Sequence, residues 1–82
     1  MRILIVEDSA AMARLLRKGL EREGYAVDVA GCGGDAVWLA TENAYDAIVL
    51  DVILDAGAID GFEVCRRLRR ASRWAPVIMV VA

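Results

Sequence analysis

"DAIVLDVILDAGAIDGFEVCRRLRRAS", residues 46–72, passes from strand to helix through one acid-bearing loop. Its opening, "DAIVL" (46–50), is continuously hydrophobic, as expected of a strand buried on both faces. Asp51 follows at once, and Val52, Ile53 and Leu54 resume the apolar run. A carboxylate in such a run is costly to bury unless its charge is used. After the glycine-containing loop, "GFEVCRRLRRAS" (61–72) has helical spacing, with Phe62, Cys65 and Leu68 on one side. Pro76 then opens a last strand, "VIMVVA" (77–82).

The same alternation holds upstream. "RILIV" (2–6) is a short strand that stops at Glu7 and Asp8. Ser9 is the N-cap of a helix through "SAAMARLLRKGLERE", in which Met12, Leu15, Leu16, Gly19 and Leu20 recur at helical spacing. Gly24 ends it, "YAVDVA" (25–30) is a strand, "GCGG" (31–34) a turn, and "DAVWLATEN" (35–43) a second helix. The order β-α-β-α-β-α-β predicts an α/β fold: a parallel sheet with right-handed crossovers and helices on both faces. Such sheets carry their sites beyond the carboxyl ends of the strands. Glu7 and Asp8 end strand 1 and Asp51 ends strand 3, so adjacency of those strands would bring three carboxylates to one edge.

Bulk properties narrow the function. Eighty-two residues allow at most one domain, 1–82, near the lower limit of independent stability. A hydrophobic content of 59% argues against disorder, and a net charge of −2 argues against bulk nucleic-acid binding. No apolar run reaches the roughly 18–20 residues of a membrane span, and the N-terminal run is too short for a signal peptide. The expected location is cytoplasmic, with Cys32 and Cys65 as reduced thiols.

Three close carboxylates repel one another, and a cation between them lets all stay ionised. Oxygen donors without His or Cys favour a hard ion, magnesium before calcium. Magnesium recruits phosphate oxygens, and a carboxylate can act as nucleophile toward phosphorus. The plainer alternative is that single acids at strand ends cap the following helix, as Asp8 would beside Ser9. "GCGG" lacks the spacing of a phosphate cradle. Arg66, Arg67 and Arg70 read as a solvated face, with Arg69 and Arg73 flanking the apolar side.

"RILIVEDS", "YDAIVLDV" and "DGFEVCRRLR" followed by "APVIM" together resemble the receiver domain of bacterial two-component response regulators, of the subfamily joined to a winged-helix DNA-binding domain. The resemblance runs from Arg2 to Ala82. It implies a flavodoxin-like sheet in the order 2-1-3-4, with the family's fifth strand and last helices missing. It also implies Asp51 as phosphoacceptor and Mg2+ held by Asp8, Glu7, Asp51 and the backbone carbonyl of Ile53. The phosphoryl donor the resemblance implies is the phosphohistidine of a sensor histidine kinase, a partner, since this chain contains no His. Phosphorylation would control a transcriptional output, with no direct DNA or membrane contact by this segment.

Three departures from the family pattern stand out. The loop "DVILDAGAIDG" is two residues longer than usual, with Asp55 where the family has proline. Val81 stands at the switch position, where the family's Thr or Ser supplies a hydroxyl. The sequence stops after strand 4, and the resemblance puts the family's phosphoryl-pairing Lys in the part beyond it; Lys18, in the first helix, reads as a solvated face residue. An unpaired, uncharged strand 4 predicts self-association through that edge or through apolar surface. Two other functions compete: a degenerate receiver serving as a phosphorylation-independent interaction module, and a magnesium-dependent phosphatase. The second is disfavoured because Ile53, two residues past Asp51, is no general acid.

Overall fold

The computed structural model describes residues 1–51 and 59–80. Its elements are β1 (Arg2–Val6), α1 (Ala10–Arg22), β2 (Ala26–Ala30), α2 (Gly33–Glu42), β3 (Ala47–Asp51), α3 (Gly61–Arg70) and β4 (Val77–Val80). All strand pairs are parallel, in the order β2-β1-β3-β4. The expected α/β topology and the adjacency of strands 1 and 3 are both present.

Local chemistry sets the helix ends. The Ser9 hydroxyl accepts the Met12 amide at 3.3 Å and opens α1. Gly24 closes it in a left-handed conformation, φ 90°, while the Tyr25 amide reaches back to the Leu20 carbonyl at 3.2 Å. Asp60 caps α3 by accepting the Glu63 amide at 2.9 Å. At the far end of α3, Ser72 takes the left-handed turn, at φ 59°, that glycine usually fills.

The second helix starts earlier than its sequence predicts. Gly33 and Gly34 of the expected turn belong to α2. A Cβ on Gly33 would lie 2.5 Å from Ile59 Cγ1 and 2.9 Å from the Ile59 carbonyl oxygen, so only glycine lets α2 approach the segment leading into α3. Val81 and Ala82, expected in the last strand, lie outside the described residues.

The alternating registers sort the strand residues onto two faces. Leu4, Val6, Ile48 and Leu50 pack with Ala36 and Ala40 of α2 and Val64 and Leu68 of α3 in a closed core. On the other face α1 covers Ile3, Ile5 and Val27, which are buried, but Val49 stays half-buried and Ile78 is 58% exposed. Strand 3 is therefore closed on one face only, a correction to the doubly buried strand its composition predicts. Two helical stripes are corrected as well. Met12 and Leu15 of α1 are exposed, and α3 buries Val64 and Leu68 while Phe62 stands out. Periodicity identified the helices but not which side meets the sheet.

Candidate functional site at the carboxyl edge

The parallel register carries Val6 of β1 opposite Leu50 of β3, so Glu7, Asp8 and Asp51 leave the sheet side by side. Each is half-buried, and each offers a carboxylate oxygen within 4.8 Å of those of the other two. The three acids expected to meet do so. Ile53, the expected carbonyl ligand, Asp55 and the switch residue Val81 lie outside the described residues.

Each acid is positioned by backbone chemistry. The Glu7 amide donates to the Ala30 carbonyl at 3.0 Å, which pins the end of β1 to β2. Its side chain turns toward the start of α1, where Oε1 accepts the Ser9 amide at 3.0 Å. Asp51 closes β3, in register with Val80 of β4. Under the acids lies a cavity of about 160 Å3, walled by Ile5, Met12, Leu16, Val49 and Val80. The carboxylates thus sit between solvent and an apolar floor.

That setting shifts Glu7. Partial burial pushes its carboxyl above the ordinary 4.5; the Ser9 amide opposes the shift, while its hydrogen bond with Asp8 and the charges of Asp51 and Asp8 reinforce it. Crowded anions of this kind accommodate a cation readily. The donors are all oxygens, the set that hard divalent ions take. Glu7, Asp8 and Asp51 therefore fit a magnesium ion by donor type and by spacing.

A second polar cluster occupies the opposite edge of the sheet and was not singled out in the sequence. Tyr45 donates to Asp28 Oδ2 at 2.6 Å, and Arg2 pairs with the same oxygen at 2.8 Å. The Arg2 guanidinium also lies 5.1 Å from the Tyr45 ring centre, and its backbone amide donates to Asp46 at 2.7 Å. The Tyr45 hydroxyl holds the Asp28 carboxyl below its usual range, with Arg2 acting in the same direction. Burial, and then the Asp28 bond, push the Tyr45 hydroxyl up to about 12. The available signal was Asp28 inside "YAVDVA", an acid at an inward strand position. The cluster ties β1, β2 and the entry to β3 together, far from the three acids.

The arginines of α3 have defined partners. Glu63 receives Arg66, Arg67 and Arg70, which hold its carboxyl below the ordinary value, with the Arg66 and Arg67 hydrogen bonds leading. Arg69 donates to the carbonyls of Arg73 and Ala75, and Arg73 donates to that of Thr41. Cys32 and Cys65 are both free thiols, as expected. Among the described residues no helix is long and apolar enough to cross a membrane.

Residues 3–82 match the family model of the response regulator receiver domain. The chain is 51% identical over 81 residues to the transcriptional regulatory protein TcrA of Mycobacterium tuberculosis, and 44% identical over 81 residues to ResD of Bacillus subtilis. Each match takes in 99% of this chain but only 31% and 32% of the relatives' own lengths. Among solved structures, the response regulator TrrA of Thermotoga maritima, crystallised with Mg2+ and BeF, superimposes with a TM-score of 0.90 at 33% identity. That superposition spans 99% of this chain and 69% of TrrA.

Proposed function

Since the chain belongs to the response regulator receiver family, we propose that it accepts a phosphoryl group on Asp51 in a Mg2+-dependent reaction. The observation that carries this reading is the meeting of Glu7, Asp8 and Asp51 at the carboxyl edge of the sheet. Asp51 is the nucleophile because it ends a paired strand, which fixes its backbone between β1 and β4. Glu7 and Asp8 hold the ion, with the Ser9 amide orienting Glu7. When bound, magnesium supplies positive charge against the phosphoryl oxygens and relieves the repulsion among the acids.

The transfer is a displacement at phosphorus. An Asp51 carboxylate oxygen forms the new P–O bond, and the bond to the donor's leaving group breaks. With a phosphohistidine donor, the imidazole nitrogen leaves with the bonding electrons and takes up a proton from water. These 82 residues contain no histidine, so the donor histidine lies outside them, in a sensor histidine kinase. The relatives TcrA and ResD are transcriptional regulators of about three times this span, and the corresponding output here is control of transcription by an attached or separate domain. A cytoplasmic location follows from such a donor and output.

Intact mass after incubation with acetyl phosphate tests the proposal. One phosphoryl addition is expected with magnesium and none with EDTA or in Asp51→Asn. An equal addition in Asp51→Asn would overturn it, as would none from folded parent protein with magnesium.

A further inference from the structure

On the reading of Asp51 as acceptor, we propose that Gly33 is a positioning residue for phosphoryl transfer. The room left by its missing side chain seats Ile59, and that seat fixes the far end of the segment that starts at Asp51. Asp51 is the last residue of β3, so its carboxylate is aimed by the strand before it and by residues 52–59 after it. The strand side is fixed by the pairing of Leu50 with Val6 of β1 and of Asp51 with Val80 of β4. Among the described residues, the other side is held at Ile59, where the chain returns to open α3.

Ile59 sits between two helices that do not yield. A Cβ on Gly33 would meet Ile59 Cγ1 at 2.5 Å, the Ile59 carbonyl oxygen at 2.9 Å and Val64 Cγ2 at 3.0 Å. Val64 of α3 is 0% exposed, and Ala36 and Ala40 anchor α2 in the same close-packed core, so neither helix has room to step aside. Asp60, the next residue, is pinned as well. Its carboxylate accepts the Glu63 amide at 2.9 Å, and its carbonyl accepts the Val64 amide at 3.0 Å. A methyl group at position 33 therefore displaces Ile59, backbone included, and the displacement passes to the chain that leads back to Asp51.

The requirement at position 33 is for room, not for a special backbone. Among the described residues Gly24 alone of the glycines has a positive φ, so Gly33 lies outside the left-handed region that favours glycine. Gly34, its neighbour in the first turn of α2, has nothing within 4 Å of the place a Cβ would take. Alanine raises helix propensity equally at both positions. Only at Gly33 does it push on the chain that carries the acceptor.

Initial rates of phosphoryl addition from acetyl phosphate at saturating magnesium, followed by intact mass, test the proposal. Rates are taken on protein whose far-ultraviolet spectrum is that of the folded parent, so a loss of stability alone, read separately as the urea midpoint, does not move them. Gly33→Ala should slow the transfer about tenfold, because a small misplacement of a reacting group lowers its rate steeply. Gly34→Ala should keep the parent's rate. Ile59→Ala, which loosens the seat without pushing on it, should slow transfer about threefold. The Gly33→Ala/Ile59→Ala double variant should fall between the two single ones, since the 2.5 Å contact is relieved while the carbonyl contact at 2.9 Å stays. If Gly33→Ala does not fold, the double variant decides by being slower than Ile59→Ala, and equal rates would overturn the proposal. So would Gly33→Ala at the parent's rate, Gly34→Ala as slow as Gly33→Ala, or a double variant no faster than Gly33→Ala. A parent that takes up no phosphoryl group would remove the reading of Asp51 and this inference together; a reactive parent matched by Gly33→Ala would remove this inference alone.

Discussion

The two faces of the sheet are built from the same strands but differ in closure. On the α2/α3 side Leu4, Val6, Ile48, Leu50, Val64 and Leu68 are all at most 1% exposed. On the α1 side, one helix covers β1 and β2, and the apolar row continues uncovered across Val49 to Ile78 and Val80. Composition does not explain the contrast, because β-branched and aliphatic residues supply both rows. Helix coverage does: among the described residues two helices lie over one face and one over the other. The first face is therefore the more completely buried. The three acids stand at the edge both faces share, so Asp51 is anchored by Leu50 beneath the closed face and stands over the cavity of the open one.

Cutting the closed face should cost most. Leu50→Ala deletes a side chain that is 0% exposed, and should lose about 2–5 kcal/mol in urea unfolding. Val49→Ala, one residue away on the open face, should lose about 1 kcal/mol or less. Equal losses would mean that the open face is covered in solution by something other than α1.

Removing the tie at the amino-terminal edge should cost less. Tyr45→Phe takes away a hydrogen bond to a carboxylate and should lose about 1–2 kcal/mol near neutral pH. It should also change the alkaline limb of the stability profile. The Tyr45 hydroxyl is raised from 10.0 to about 12 in the fold, so its contribution is complete below pH 10 and is lost as pH climbs from 10 toward 12. The Asp28 carboxyl is lowered from 3.8, so its contribution is complete above pH 3.8 and is lost as pH falls below that. Thermal melts across pH, with tyrosinate absorbance followed alongside, check both limbs. In Tyr45→Phe the loss between pH 10 and 12 should shrink.

The smallest expected effect is a gain. Ser72 holds a left-handed backbone, φ 59°, at the end of α3. Ser72→Gly should relieve this and add about 0.5–1 kcal/mol, read as a higher urea midpoint with an unchanged slope. No gain would mean that the turn after α3 is already relaxed as serine.

Much of this was legible in the sequence, and the gaps share a cause. Alternating strand and helix signals gave the element order, and abrupt endings at Glu7 and Asp51 pointed to the acids that cluster. Strand adjacency is a long-range fact, and only the β1–β3 register turned three separate acids into one cluster. Helix faces were harder. Met12, Leu15 and Phe62 fit apolar stripes yet stay exposed, because a stripe meets the sheet only where the crossover places it. The Asp28–Tyr45–Arg2 tie joins residues up to 43 positions apart in numbering, from Arg2 to Tyr45, and no local pattern announces it. Gly33 was read as a turn residue because its close approach to Ile59 depends on how α2 and α3 pack.

The most direct measurement locates the phosphoryl group on the chain. After reaction with acetyl phosphate and magnesium, borohydride reduces an aspartyl phosphate to homoserine, which peptide mass mapping places by residue. Homoserine at position 51 alone, absent when Asp8→Asn removes a proposed magnesium ligand, is the expected result. Reduction at another acid, or none at position 51 in folded protein, would contradict the role of Asp51 as acceptor.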